Sequence, residues 1–472
     1  MQPHLGLLAV AVSAMVLVLS TTAAMPADRN AERIRVSEDN PRYWQYKGKT
    51  VLLLGGSDED NLFNHPAMMM ANLDALRRIG GNYIRGTLSC RDEGNVWPFE
   101  QVNGRYDLRR PNPGFWDRLE RCCREAYRRD VIVQIEVWAT FDFYRENWLR
   151  NPWNPANNAN YTTASTGLVP EWDFHPAQRP QPFFFSPPAL NDDAVLREYQ
   201  DAFVRQVLDV TTPYPNVLYC LDNETRAKPE WAWYWGKFIK QEAERRGTPV
   251  EVTEMWDNWD LTHADHAATY TRPDVFSFCD VSQNNWQIGQ THYDRLIWYR
   301  ENLPQQAGGI RPMNNVKVYG MLRPGQGEAM DHNLDRWWQN IWAGCAGTRF
   351  HRPPTGIGLN ETAQEAIRAA RVFTNAFDLF ACEPRPDLLA DRDENQAYLL
   401  ANPPSVYALY FPTGGQVTLT LGGEAKALKL WWLDVRTATF SKAEPVPNAP
   451  RCSLQTPTSD RTWLGLIARR RR

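Results

Sequence analysis

The chain has 472 residues, room for about two or three domains of ordinary size around a large core, so a single small module is excluded. Hydrophobic residues at 43% and charged residues at 23% match ordinary globular usage and exclude a disordered chain, a collagen or a coiled-coil polymer. A formal net charge of −3 gives no general attraction to nucleic acid or anionic lipid, whereas 20 Trp, 18 Tyr and 19 Phe exceed what packing alone requires and suit flat apolar ligands such as sugar faces.

In chain order, an apolar run over 5–19 ends in Ser20, Thr21, Thr22, Ala23 and Ala24, the length and small-residue ending of a secretory signal peptide over 1–24, with cleavage expected after Ala24. The run is shorter than the roughly 20 residues of a membrane-spanning helix. Nothing later reads as transmembrane, so a secreted or periplasmic mature chain is expected. Short apolar runs then follow at 51–54, 82–87, 131–137, 216–221, 250–253, 275–280, 316–319 and 345–350, with helical stretches between most of them. This is the pattern of parallel strands joined by crossover helices. Pro66 opens one helix that Gly80-Gly81 ends, and Pro229 opens another that Gly247 closes. Eight such units predict a (β/α)8 TIM barrel over 25–383, with an open doubly wound sheet as the alternative. No GxGxxG follows the first strand, which counts against the nucleotide-binding form of that alternative.

From 384 the runs shorten to 397–400, 407–411, 417–421, 428–433 and 463–467, divided by Thr413-Gly414-Gly415 and Gly422-Gly423. They predict a small antiparallel β-sandwich over 384–468, followed by a solvated basic tail at 469–472. The eight cysteines show no CxxC spacing and no zinc-finger histidines, so no cysteine metal site is expected. In a core of this size they are expected to be buried free thiols rather than disulfides. No cofactor is implied, since scattered carboxylates define no calcium loop.

In such a barrel the chemistry lies at the C-terminal strand ends. The fourth strand runs into Asp222-Asn223-Glu224-Thr225, where Glu224 can protonate a leaving glycosidic oxygen while Asn223 holds a neighbouring sugar hydroxyl; a capping turn is the bland alternative. The other strand ends carry Asp58 and Asp60, Arg85, Asp142, Glu254 and Asp257, Asp280 and Lys317. Arg349 and His351, two apart, share one face of the eighth strand. The long connection over 139–188 is too aromatic for disorder and is expected to form an ordered cleft wall. Trp138, Trp148, Trp153, Trp172, Trp256, Trp259 and Trp286 fall near the predicted ligand face, where indoles can stack on pyranose rings or merely pack.

These residues resemble secreted bacterial barrels of the large glycoside-hydrolase clan that places its acid/base after strand four. More closely they resemble the apiosidase-like proteins, a barrel joined to a C-terminal domain that carries an inherited collagen-binding label. The likeness rests on Asn40-Pro41-Arg42-Tyr43-Trp44, Gly48-Lys49, Leu52-Leu53-Leu54-Gly55, Asn223-Glu224, Ala343-Gly344-Cys345-Ala346-Gly347, Tyr410-Phe411-Pro412-Thr413-Gly414-Gly415 and Trp431-Trp432-Leu433-Asp434. It implies a glycoside hydrolase acting on a carbohydrate, with Glu224 as acid/base. The label implies no collagen binding here.

One departure is chemical. Retaining members of the clan use a second Glu at the end of strand seven, where this chain has Lys317, and the next acid is Glu328. Asp280, then Glu254, are the expected replacements, and a pair wider than about 5–5.5 Å would favour inversion. Lys317, Arg85, Arg349 and Arg352 place positive charge around Glu224, which suits a uronate or sulfate on the substrate. Asn223, Arg85, Asp58, Trp138, Trp256, Lys317, Arg349 and His351 are accordingly the expected substrate-binding residues. Two other functions stay open: a catalytically inactive carbohydrate-binding barrel, and a polysaccharide lyase in which Lys317 or Arg349 neutralises a uronate.

Overall fold

A computed structural model of the chain describes residues 29–303, 309–320, 332–422 and 427–471. The expected signal peptide, Glu328, Gly423 and Arg472 lie outside the described residues. Eight parallel strands form the barrel: β1 Leu53–Gly56, β2 Tyr83–Thr87, β3 Ile132–Ala139, β4 Val217–Asn223, β5 Val252–Thr253, β6 Cys279–Asp280, β7 Met313–Val318 and β8 Gly347–Phe350. They pair in the order β5-β4-β3-β2-β1-β8-β7-β6. The ring closes where Ser277 N donates to Val252 O at 3.0 Å and Thr253 Oγ1 donates to Phe278 O at 2.8 Å. The open doubly wound alternative is thereby overturned.

Helices α1 Pro66–Arg78, α2 Pro113–Tyr127, α3 Ala194–Thr211, α4 Pro229–Arg245, α5 Ala264–Tyr270, α6 Gly289–Asn302, α7 Asn333–Trp342 and α8 Glu361–Thr374 follow β1 to β8 in turn. Each of α1, α2 and α4 begins with a proline, whose missing N–H costs nothing in a first helical turn. Among the described residues no helix is long and apolar enough to cross a membrane.

The barrel interior is polar, and this sets where the strands end. Tyr83 OH donates to Gln134 at 2.5 Å, Gln134 Nε2 reaches Asp280 at 3.2 Å, and Asn314 Nδ2 donates to Tyr83 OH at 3.0 Å. Such inward residues are satisfied by one another. β4 and β7 therefore extend through Asn223 and back to Met313, beyond the apolar runs at 216–221 and 316–319 that announce them. Before β1 in the chain, the antiparallel strands Arg35–Val36, Trp44–Tyr46 and Lys49–Val51 form a small sheet of their own. Its fully buried Trp44 donates to Asn314 Oδ1 at 3.0 Å, and Val51 pairs with Trp44, so Val51 belongs to this sheet and not to the barrel.

The C-terminal unit has two antiparallel sheets. One carries β9 Tyr398–Asn402, β10 Val406–Phe411, β12 Lys429–Asp434 and β14 Trp463–Ala468; the other carries β11 Gln416–Thr420 and β13 Arg451–Gln455. Leu399, Leu409, Phe411, Val417, Leu419, Trp432 and Leu454 fill the sandwich between them. The outer face of the first sheet packs on α7: Trp338 stacks on Tyr410 with centroids 5.9 Å apart, and Trp342 Nε1 donates to Ala408 O at 2.9 Å. Strand β13 has no counterpart among the predicted runs, because only Cys452 and Leu454 of its five residues point inward. All eight cysteines are buried and unpaired.

Candidate active site

The C-terminal strand ends open into a cavity of about 600 Å³. Glu224, the first residue past β4, lines it in a left-handed backbone conformation with φ 66°, a costly setting for a residue with a Cβ. Its Oε1 accepts from Lys317 Nζ, from Gln283 Nε2 at 3.0 Å and from Tyr319 OH at 3.2 Å. Asn223 beside it accepts through Oδ1 from Arg85 at 2.6 Å and from Lys317 at 3.1 Å. With two cations fixed on its oxygen, the Asn223 amide keeps its NH2 group for other partners.

Behind these residues lies a buried ion network. Arg85 bonds Glu136 at 2.6 Å and Asp60 at 3.1 Å, and Thr87 Oγ1 donates to the other oxygen of Glu136 at 2.6 Å. Asp60 also meets Arg349 at 3.3 Å, His351 at 3.3 Å and Arg352 at 3.2 Å. Burial alone would push the Asp60 carboxyl up, but the guanidinium groups of Arg85, Arg349 and Arg352 together hold it well below the usual carboxylate range. Burial pushes His351 well below the usual imidazole range, which leaves its ring neutral. Burial, and after it the Arg85 charge, pull Lys317 well below the ordinary ammonium range.

Of the residues expected to be catalytic or substrate-binding, Glu224, Asn223, Arg85, Lys317 and His351 line the cavity together. The others lie off its wall. Glu254 is fully buried beside β4, where its Oε1 accepts from Asp222 N at 3.2 Å and Met255 N at 2.8 Å. Asp280 sits in the polar interior, accepting from Ser282 N at 2.8 Å and from Gln134. Arg349 has no exposed surface, its guanidinium spent on Asp60, on Ser57 and on Val316 O at 2.9 Å. Asp58 is exposed outside the cavity, accepting from Leu359 N at 2.8 Å. Trp138 packs into an aromatic core with Trp153, Phe183, Phe203 and Trp235, and the Trp256 indole donates to Thr269 at 2.8 Å. Trp148, Trp153 and Trp172 are buried too.

The wall is completed by residues with weaker sequence signals. Trp259 and Trp286, 52% and 40% exposed, are the tryptophans that face the opening. Phe141, Tyr144, Asn147 and His175 come from the long connection after β3, which does form a cleft wall. Gln283 arrives on the short 3-10 turn Ser282–Trp286, which no periodicity announces. Tyr319 lies two residues after Lys317 and so shares its face of the strand. Asp60, two residues from Asp58, is the carboxylate that β1 delivers to the wall, and Asp257 is bound to Arg226 at 2.7 Å.

Burial raises the Asp280 carboxyl to about 7 and, with its Thr140 contacts opposing, the Asp222 carboxyl to about 7 as well. An unfolded Asp titrates near ~3.9, so between that value and about 7 the folded chain holds protons that the unfolded chain has lost. Stability contributed by these groups is fullest below that window and falls as pH rises through it. Asp280→Asn is expected to fold and to reduce this fall, read as a smaller shift of the urea midpoint between pH 4.5 and 7.5; an unchanged shift would show that Asp280 is ionised in the fold.

No family model and no curated protein matches the sequence. Among solved structures the chain is similar to a glycoside hydrolase family 5 protein from Bacteroides vulgatus ATCC 8482, with 12% identity, 93% of this chain and 94% of that chain covered, and a TM-score of 0.63. It is similar to another protein described as a glycoside hydrolase, with 12% identity, 92% and 96% covered and a TM-score of 0.60. A family 5 mannosidase variant from Rhizomucor miehei follows, with 13% identity, 71% and 96% covered and a TM-score of 0.50. At these identities the likeness is one of fold: the chain is a (β/α)8 barrel of the kind found in glycoside hydrolases, with a C-terminal β-sandwich.

Proposed function

We infer that the protein is a secreted glycoside hydrolase acting on a polysaccharide or oligosaccharide, with Glu224 as its acid/base. The observation that carries this reading is the Glu224 carboxylate at the C-terminal end of β4, on the wall of an open cavity flanked by the exposed indoles of Trp259 and Trp286. Asn223 then offers its amide N–H groups to a sugar hydroxyl. With Glu254 and Asp280 off the wall, Asp60 becomes the second carboxylate of the proposal. It comes from β1, with β2 and β3 between its strand and β4. A carboxylate three strands round the mouth from Glu224 leaves room for a water between them, the inverting arrangement, and it can activate that water once a bound sugar draws it away from Arg85, Arg349 and Arg352. A covalent glycosyl-enzyme with a retained product would contradict it.

The wall's arginines already have carboxylate partners: Arg91 with Asp142 at 3.1 Å, Arg226 with Asp257 at 2.7 Å and Arg352 with Glu59 at 3.1 Å. Pairing of this kind, together with the burial of Arg349, favours a neutral substrate over the uronate or sulfate suggested by charge alone, and it weighs against a lyase. A second reading, a binding protein without turnover, is favoured by Lys317, which stands where a retaining enzyme carries its nucleophile and neutralises Glu224 in the unliganded site.

The test is reducing-end release by the chain from residue 25 onward across neutral, uronate-containing and sulfated polysaccharides. Release from a neutral glycan supports the hydrolase. Binding without release on every polymer supports the second reading, and ultraviolet-absorbing unsaturated products would overturn both. Trp259→Ala is expected to raise KM by about 3- to 10-fold with kcat little changed, as loss of a stacking face of about 0.5–1.5 kcal/mol requires. A fall in kcat at unchanged KM would place Trp259 outside substrate binding.

A further inference from the structure

Among the described lysines, Lys317 is the one that is buried, yet it lines the cavity. Its Nζ has two acceptors, the carboxylate of Glu224 and the amide oxygen of Asn223. The Asn223 oxygen is shared with the Arg85 guanidinium, so a second cation stands beside the amine. Burial and a neighbouring cation are the two devices by which a protein makes a lysine amine nucleophilic near neutral pH, and the direction of the Lys317 shift agrees with both. The left-handed backbone at Glu224 keeps a proton acceptor in contact with that amine.

We propose that Lys317 is an aldehyde-reactive amine that forms an imine with the open-chain carbonyl of a reducing sugar held in the cavity. Glu224 takes a proton from the Lys317 ammonium, the free amine attacks the carbonyl carbon, and one of its two remaining protons passes to the new alkoxide to give a carbinolamine. Glu224 then returns the proton to the carbinolamine hydroxyl, which leaves as water while the C=N bond forms. Ammonium and carbonyl become protonated imine and water, with Glu224 a carboxylate at both ends, no change of oxidation state and no further reactant. The choice of a sugar carbonyl rests on the carbohydrate reading of the cavity: a glycosidic bond cut over Glu224 releases a sugar whose anomeric carbon is the carbonyl carbon of its open-chain form. The amine chemistry itself depends only on Lys317, Glu224, Asn223 and Arg85.

The experiment treats the chain from residue 25 onward with glycolaldehyde or xylose and sodium cyanoborohydride at pH 7, then maps reduced adducts by peptide mass spectrometry. The expected result is one side-chain adduct per chain at low aldehyde, on Lys317, formed ahead of exposed lysines such as Lys47 and Lys442 and absent from Lys317→Arg and Lys317→Met, with any adduct on the α-amino group counted apart. Glu224→Gln is expected to slow the labelling by about 100-fold, the ordinary contribution of a positioned proton carrier. Labelling of wild-type surface lysines ahead of Lys317 would overturn the proposal without any variant having to fold. Labelling by glycolaldehyde but not by xylose would keep the amine chemistry and overturn the sugar as its partner. Polysaccharide cleavage without Lys317 labelling would overturn the imine and leave the hydrolase standing; Lys317 labelling without cleavage of any polymer would do the reverse.

Discussion

Glu224→Gln is expected to lower kcat on the natural polymer by about 10²- to 10⁴-fold, the usual contribution of a general acid or base, while substrate affinity stays within a few-fold of wild type. The substitution preserves shape, and its carbonyl oxygen can still accept from Lys317, Gln283 and Tyr319, the partners of Glu224 Oε1. What it removes is the proton. Because these donors gather on one oxygen, the ground-state site is arranged for a carboxylate, and a bound glycoside must displace or share at least one of them before Glu224 can protonate a leaving oxygen. Steady-state kinetics on the variant, with circular dichroism to confirm folding, gives the answer. A loss of less than about tenfold would remove Glu224 from the chemistry.

Arg85→Ala is expected to destabilise the folded chain by about 3–5 kcal/mol, because it breaks a buried pair and leaves its partners uncompensated. Arg85 is 1% exposed and joins Glu136 from β3, Asp60 from the end of β1 and Asn223 from β4. Lysine in its place keeps the charge but loses the planar fork that reaches all three, so Arg85→Lys is expected to fall between wild type and alanine. Adding Glu136→Gln to Arg85→Ala is expected to cost less than the sum of the two single changes, since the partner is then neutral. Urea midpoints for the four proteins measure this. An alanine variant as stable as wild type would mean that solvent reaches and compensates the network.

The barrel is legible in the sequence because its strands are apolar runs of the right length, punctuated by Pro66, Gly80-Gly81, Pro229 and Gly247. Glu224 is legible for a related reason: an Asn-Glu pair just past the fourth run falls at the C-terminal, open end of such a barrel, although Asp222 beside it turns inward onto Thr140. The rest of the site depends on which way each side chain turns, and that is decided by packing. Trp138 and Trp259 read alike in sequence, yet Trp138 is enclosed by Phe203 of α3 and Trp231 and Trp235 of α4, whereas Trp259 stands on an open connection. Asp58 and Asp60 differ only by two positions, but the chain turns between them, sending one to Leu359 N and the other to Arg85. Arg349 carries the expected charge and spends it inside the wall. Some signals were available: Asn103-Gly104, with φ of 52° and 79°, is the tight turn of the hairpin Phe99–Val102 and Arg105–Pro111, and the two-residue rule that pairs Arg349 with His351 also pairs Lys317 with Tyr319.

The most direct measurement is the dependence of the Glu224→Gln defect on the leaving group. A general acid is needed in proportion to how poorly the departing oxygen bears negative charge. The variant is therefore expected to be severely impaired on the natural glycan and on aryl glycosides with poor leaving groups, and close to wild type on the dinitrophenyl glycoside of the same sugar, where no proton is required. An equal loss on all of them would show that Glu224 does not protonate the leaving oxygen and would contradict the account.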